Sequence, residues 1–179
     1  MSGVPEATSM AALGAPWLWL GRASNAKDVK WLRRHRVTHF VNCVSERQAP
    51  HKDVLSDGVR VLTLNSHDTD QYPLFDHVDA RRTNWDRVQS FLDQARRTYR
   101  DTNGHRGTTL IYCMAGLNRS ASLLTAYMAT RFKGLGPEKV AIFIKTRRPG
   151  ALSNQSFAEQ LARIVVGLKR ASGPECSGY

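Results

Sequence analysis

Apolar residues in this chain fall into two alternating kinds of run. Val37-Thr38-His39-Phe40-Val41-Asn42-Cys43-Val44, Val59 to Leu64 and Thr108-Thr109-Leu110-Ile111-Tyr112 are short, rich in β-branched and aromatic residues, and read as buried strands. Pro50, Asp57 and Gly58 mark the turn between the first two. Between such runs the spacing changes to three and four. Trp85, Val88, Leu92, Ala95 and Tyr99 predict a long helix closed by Asn103-Gly104, and Leu123, Leu124, Tyr127, Met128 and Phe132 a second. Pro137 opens another through Thr146, and Phe157, Leu161, Ile164, Val165 and Leu168 define the last, with Asn154 placed to cap it. Near the start, Trp17 to Leu20 reads as a short strand, and Ser24 is placed to cap a helix reaching about His35 with Val29 and Leu32 inward. Alternating strands and helices predict an α/β fold: a single domain over residues 16–170 with a central, mostly parallel sheet flanked by helices. Residues 1–15 are expected to be a flexible arm and 171–179 a tail.

Composition narrows the picture further. With 26 Lys and Arg against 15 Asp and Glu, the net charge of +11 favours polyanionic partners or substrates, although the Arg pairs are scattered as on solvated faces. Three widely spaced cysteines, Cys43, Cys113 and Cys176, do not make a disulfide framework and suggest a reducing compartment. No apolar run is long enough to span a membrane, and a basic-then-apolar leader is lacking, so the expected location is cytoplasmic or nuclear. The histidines are read as structural or exposed, and no metal is called for.

The chemistry concentrates where the strand ending in Tyr112 gives way to a helix, in Cys113-Met114-Ala115-Gly116-Leu117-Asn118-Arg119-Ser120. The first N–H groups of a helix lack internal partners and its dipole adds partial positive charge, so an anion is favoured there. Gly116 lets the loop curl so that the backbone of Met114 to Asn118 can cradle phosphate. A thiolate at such a place attacks phosphorus directly, and a helix N-terminus beside an arginine favours the ionised form. The planar guanidinium of Arg119 matches two phosphate oxygens at once.

Cys113, Gly116, Arg119 and Ser120 resemble the signature loop of protein tyrosine phosphatases, and the flanks look like the small dual-specificity branch. Leu18 to Arg22 and Val37 to Val44 are similar to that family's opening strands, and Arg147-Arg148-Pro149 through Asn154, Phe157, Gln160 and Leu161 to its closing loop and last helix. The resemblance implies hydrolysis of phosphotyrosine, and of phosphoserine and phosphothreonine, on protein substrates through a cysteinyl-phosphate, with no cofactor. It implies that Ser120 hydrogen-bonds the sulfur when the intermediate is hydrolysed, and that Asn154 braces the loop. Both residues also suit helix caps.

A general acid must protonate the leaving oxygen. Val61 to Asp68 is similar to the family segment that delivers it, which makes Asp68 the choice and Asp70 the competitor. The stretch from Asp68 to Cys113 is longer than usual, with the excess within Asp70 to Arg82, a candidate wall of the pocket. Tyr112 stands where relatives carry histidine, and is expected to support the loop with one neutral donor. Cys43 reads as a core residue, or as a disulfide partner of oxidised Cys113. Alternative readings are a related cysteine phosphatase acting on RNA 5′ ends and a non-catalytic phosphoprotein-binding module. Oligomeric state is not assigned.

Overall fold

The computed structural model describes residues 6–55, 58–79, 81–102 and 107–171. Four parallel strands and one antiparallel strand form the main sheet: β1 (Thr8–Met10), β2 (Ala15–Arg22), β3 (Val37–Asn42), β4 (Arg60–Thr63) and β7 (Thr108–Cys113), in the order β1-β2-β7-β3-β4. The strand that ends at Cys113 is therefore central, paired in parallel with β2 on one side and β3 on the other. Helices cover both faces, and the alternation of side chains along β7 decides what each face receives. Leu110 and Tyr112 join Phe40 and the α1 (Val29–Arg34) residues Trp31 and Leu32 on one side. Ile111 and Cys113 join Val41, Cys43 and the apolar faces of α2 (Asn84–Asp101), α3 (Arg119–Arg131), α4 (Pro137–Arg147) and α5 (Gln155–Ala171) on the other.

Local signals account for most boundaries. Thr83 and Asp86 form a capping box that starts α2, Pro137 occupies the first turn of α4, and Asn154 Oδ1 accepts from Phe157 N at 3.1 Å to start α5. Two expectations change. Thr8–Met10, placed by the sequence in a flexible arm, pairs antiparallel with β2 as an edge strand, with Met10 fully buried. Ser24 does not cap the first helix. It precedes a 3₁₀ turn at Asn25–Lys27, and Asp28 caps α1 by accepting from Trp31 N at 3.0 Å, because its carboxylate reaches the free amide of the first turn. The long stretch after Asp68 buries Leu74 and Phe75 and forms a short hairpin of β5 (Val78–Asp79) and β6 (Arg82–Thr83), with Gln160 on α5 holding Tyr72 O and Phe75 N. Asn103-Gly104 and the tail with Cys176 lie outside the described residues. Among the described residues no helix is long and apolar enough to cross a membrane.

Candidate active site

β7 delivers Cys113 to the C-terminal end of the parallel sheet, where α/β folds bind ligands, and α3 begins six residues later at Arg119. Gly116 sits between them at φ +71°, a conformation that L side chains rarely adopt. A Cβ there would meet Gly21 O at 2.5 Å and Arg148 Nη1 at 2.7 Å, so the turn admits no side chain. Ser120, fully buried on the first turn of α3, donates from Oγ to Cys113 Sγ at 3.2 Å. Its hydroxyl is used on the sulfur, and the position just before α3 belongs to Asn118.

Arg119 is buried, and its Nη1 is anchored on two carbonyls at the ends of other segments, Ser66 O at 2.8 Å and Cys43 O at 3.3 Å. Ser66 Oγ in turn donates to Cys43 O, tying the loop after β4 to the end of β3. The Nε of Arg119 is buried without a hydrogen-bond partner among the described residues, and stands 3.7 Å from Asp68 Oδ2. One edge of the guanidinium is thus fixed to the scaffold while the other faces the site.

Asp68 is brought to the loop by three side chains. Asn118 Nδ2 and Asn154 Nδ2 each donate to its Oδ1 at 3.3 Å, and Arg119 approaches Oδ2. Asp70 lies on an exposed turn, with no hydrogen bond or ion pair to the loop among the described residues. The longer segment touches this region through Tyr72, whose ring meets His67 edge-on at 5.5 Å, next to Asp68. Asn154 both caps α5 and braces Asp68. Asn118 proves to be a hub: its Oδ1 accepts from Ser153 N, Ser153 Oγ and Asn154 N at 3.0–3.3 Å. Only the folded chain shows this, because residues 118 and 153 are distant in sequence.

Tyr112 points away from Cys113, as its neighbour on an alternating strand must. Its hydroxyl donates to Gln48 O at 2.7 Å, so it supports the turn after β3 and makes no hydrogen bond to the phosphate loop. Burial, then Cys43 and Glu46 nearby, push its ionisation far above the ordinary phenol range, leaving a neutral donor. Tyr112→Phe is expected to lower unfolding stability by about 1 kcal/mol, since Gln48 O loses its partner. Chemical denaturation monitored by fluorescence checks this, and unchanged stability would mean that water replaces the bond.

Cys43 is fully buried among the same apolar residues as Cys113, and both thiols are free. Burial, and then the neighbouring Cys113, push the Cys43 thiol well up, against the opposing effect of Arg119. His35 and His39 are four residues apart, a spacing that helical metal pairs use, yet they occupy different elements. His35 follows α1 against Trp19 and Trp31, while His39 lies in β3 edge-on to Phe91. No group of three or more His, Cys, Asp or Glu among the described residues is arranged to hold a metal ion.

Arg148 is the residue whose weight the sequence did not show. It is 6% exposed and its guanidinium donates to Thr8 Oγ1 at 3.1 Å, Leu20 O at 3.2 Å and Gly116 O at 3.4 Å, joining β1, β2 and the phosphate loop. Burial and then Arg22 lower its basicity, and Cys113 acts in the opposite sense.

The model of the dual specificity phosphatase catalytic domain matches residues 18–165. The chain belongs to this family. Mouse dual specificity protein phosphatase 15 is 32% identical over 146 residues, 82% of this chain and 54% of that protein, so the chain spans about half the length of such curated relatives. Among solved structures, human DUSP28 superposes with a TM-score of 0.70 at 29% identity, covering 92% of this chain and 95% of that one. DUSP15 gives 0.69 at 28%, covering 92% and 90%. The family membership agrees with the α/β architecture and with the loop that joins β7 to α3.

Proposed function

We propose that the chain hydrolyses phosphate monoesters on proteins, phosphotyrosine and also phosphoserine and phosphothreonine, through a cysteinyl-phosphate. The observation that carries this reading is the hydrogen bond from Ser120 Oγ to Cys113 Sγ inside a loop on which Arg119 and Asp68 converge. In the first step the Cys113 thiolate attacks phosphorus, the bond from phosphorus to the substrate oxygen breaks, and that oxygen takes a proton from Asp68. Arg119 places its unanchored edge on the equatorial oxygens, whose charge it neutralises as the phosphoryl group passes. In the second step water attacks the thiophosphate, Asp68 takes back a proton, and the sulfur leaves as thiolate with the Ser120 hydroxyl donating to it.

Asp68→Asn tests the assignment. It is expected to lower kcat about 100-fold for phosphopeptides and less for an activated aryl phosphate, which departs without protonation. The amide keeps the Asn118 and Asn154 contacts through its oxygen but has no proton to give, so the alkaline limb of the pH profile should vanish. A loss of that limb in Asp70→Asn but not in Asp68→Asn would move the general acid to Asp70.

A further inference from the structure

Asn118 stands immediately before Arg119, and both ends of its side chain are used. Its Oδ1 accepts from Ser153 N at 3.0 Å, Ser153 Oγ at 3.2 Å and Asn154 N at 3.3 Å, while its Nδ2 donates to Asp68 Oδ1 at 3.3 Å. A backbone N–H only donates, so those of Ser153 and Asn154 fix the amide with its oxygen toward the turn between α4 and α5 and its NH₂ toward Asp68. Asn154 is locked in the same way. Its Oδ1 accepts from Phe157 N at 3.1 Å, and its Nδ2 donates to the same Asp68 oxygen at 3.3 Å. The turn that supplies these amides is itself tied to the phosphate loop: Leu152 N donates to Leu117 O at 2.9 Å. Leu152 is held there at φ +57°, a conformation that costs a side chain of its kind energy and persists where the surrounding bonds fix it.

The two carboxyl oxygens of Asp68 are therefore unequal. Oδ1 has its lone pairs occupied by two amide N–H groups, so a proton placed on it would displace one of these donors. Oδ2 has no hydrogen bond among the described residues and stands 3.7 Å from Arg119 Nε, on the edge of the guanidinium that faces the site. We infer that Asn118, with Asn154, is a positioning residue that assigns the proton of Asp68 to Oδ2, the oxygen on the phosphate side. This rests on the phosphatase reading above. In the first step the O–H bond on Oδ2 breaks as the O–H bond on the leaving group forms, and the negative charge left on the carboxylate is met at Oδ1 by the two amides. In the second step the water's proton returns to the same oxygen.

The test compares kcat/KM, which reports formation of the cysteinyl-phosphate, for phenyl phosphate, whose leaving group needs an acid, and for 4-nitrophenyl phosphate, whose leaving group departs with little help. Asn118→Asp keeps an oxygen for Ser153 and Asn154 but has no N–H for Asp68. Its carboxylate accepts instead, and draws the proton of Asp68 onto Oδ1, away from the leaving group. The ratio of phenyl to nitrophenyl turnover is expected to fall about tenfold, part of the roughly 100-fold that a general acid supplies. A uniform loss on both substrates, as from added negative charge or a loosened loop, leaves that ratio unchanged and would overturn the proposal. In protein already carrying Asp68→Asn, the same change should not move the ratio, because the group it acts through is gone, and a further fall there would overturn it too. If Asn118→Asp does not fold, Asn154→Asp, which still caps α5, should lower the ratio about threefold or more, and an unchanged ratio there refutes the assignment. Failure of the hydrolysis reading shows separately, as absence of 4-nitrophenyl phosphate turnover by the unsubstituted protein.

Discussion

Replacing Cys113 by serine should abolish turnover of aryl phosphates and phosphopeptides, by at least about 10⁴-fold, as expected for loss of a nucleophile. A serine hydroxyl is not ionised near neutral pH, and among the described residues the side chain hydrogen-bonded at position 113 is Ser120, which donates and takes no proton. Binding should survive the substitution, since the loop and Arg119 remain. Calorimetric titration with tungstate is expected to give an affinity within a few-fold of the unsubstituted protein. Turnover within tenfold of the original would remove the covalent mechanism. Alkylation adds an internal check, because Cys43, buried with its ionisation pushed up, should stay unlabelled while Cys113 reacts.

Arg119→Lys should be nearly as damaging, with kcat lowered about 10²- to 10³-fold, the usual effect of losing a donor aimed at developing charge. The guanidinium holds Ser66 O and Cys43 O with Nη1 and turns its Nε edge to the site. One ammonium cannot do both. If it reaches phosphate it leaves two carbonyls without their donor, and if it replaces Nη1 the phosphate loses its bidentate partner. Single-turnover kinetics should show the loss in cysteinyl-phosphate formation. Rates near the original would exclude Arg119 from the site.

Local signals made much of this molecule legible. Periodicity located the parallel strands and the long helices because a strand buried on both faces and an amphipathic helix leave different spacings. The run from Cys113 to Ser120 is contiguous, so its strand-loop-helix context and its residue types could be read together. Edge strand β1 was missed because Thr8–Met10 has no long apolar run. Its place depends on pairing with β2 and on the hydrogen bond from Arg148 to Thr8. The hairpin after Asp68 was missed for the same reason: Leu74 and Phe75 acquire their partners only when α5 closes over them.

The chain's own order already placed a cysteine and an arginine on one short loop at the end of a buried strand, with a serine beside them. Tertiary structure decided what acts with that loop. It brought Asp68, and not Asp70, to the loop, made Asn118 a hub, put Tyr112 on the opposite face of β7, anchored Arg119 on the ends of β3 and the β4 loop, and joined Arg148 to Gly116. The physical reason is that a short loop carries its own spacing, whereas hydrogen bonds between distant segments form only when sheet order and helix packing bring them within about 3 Å of each other.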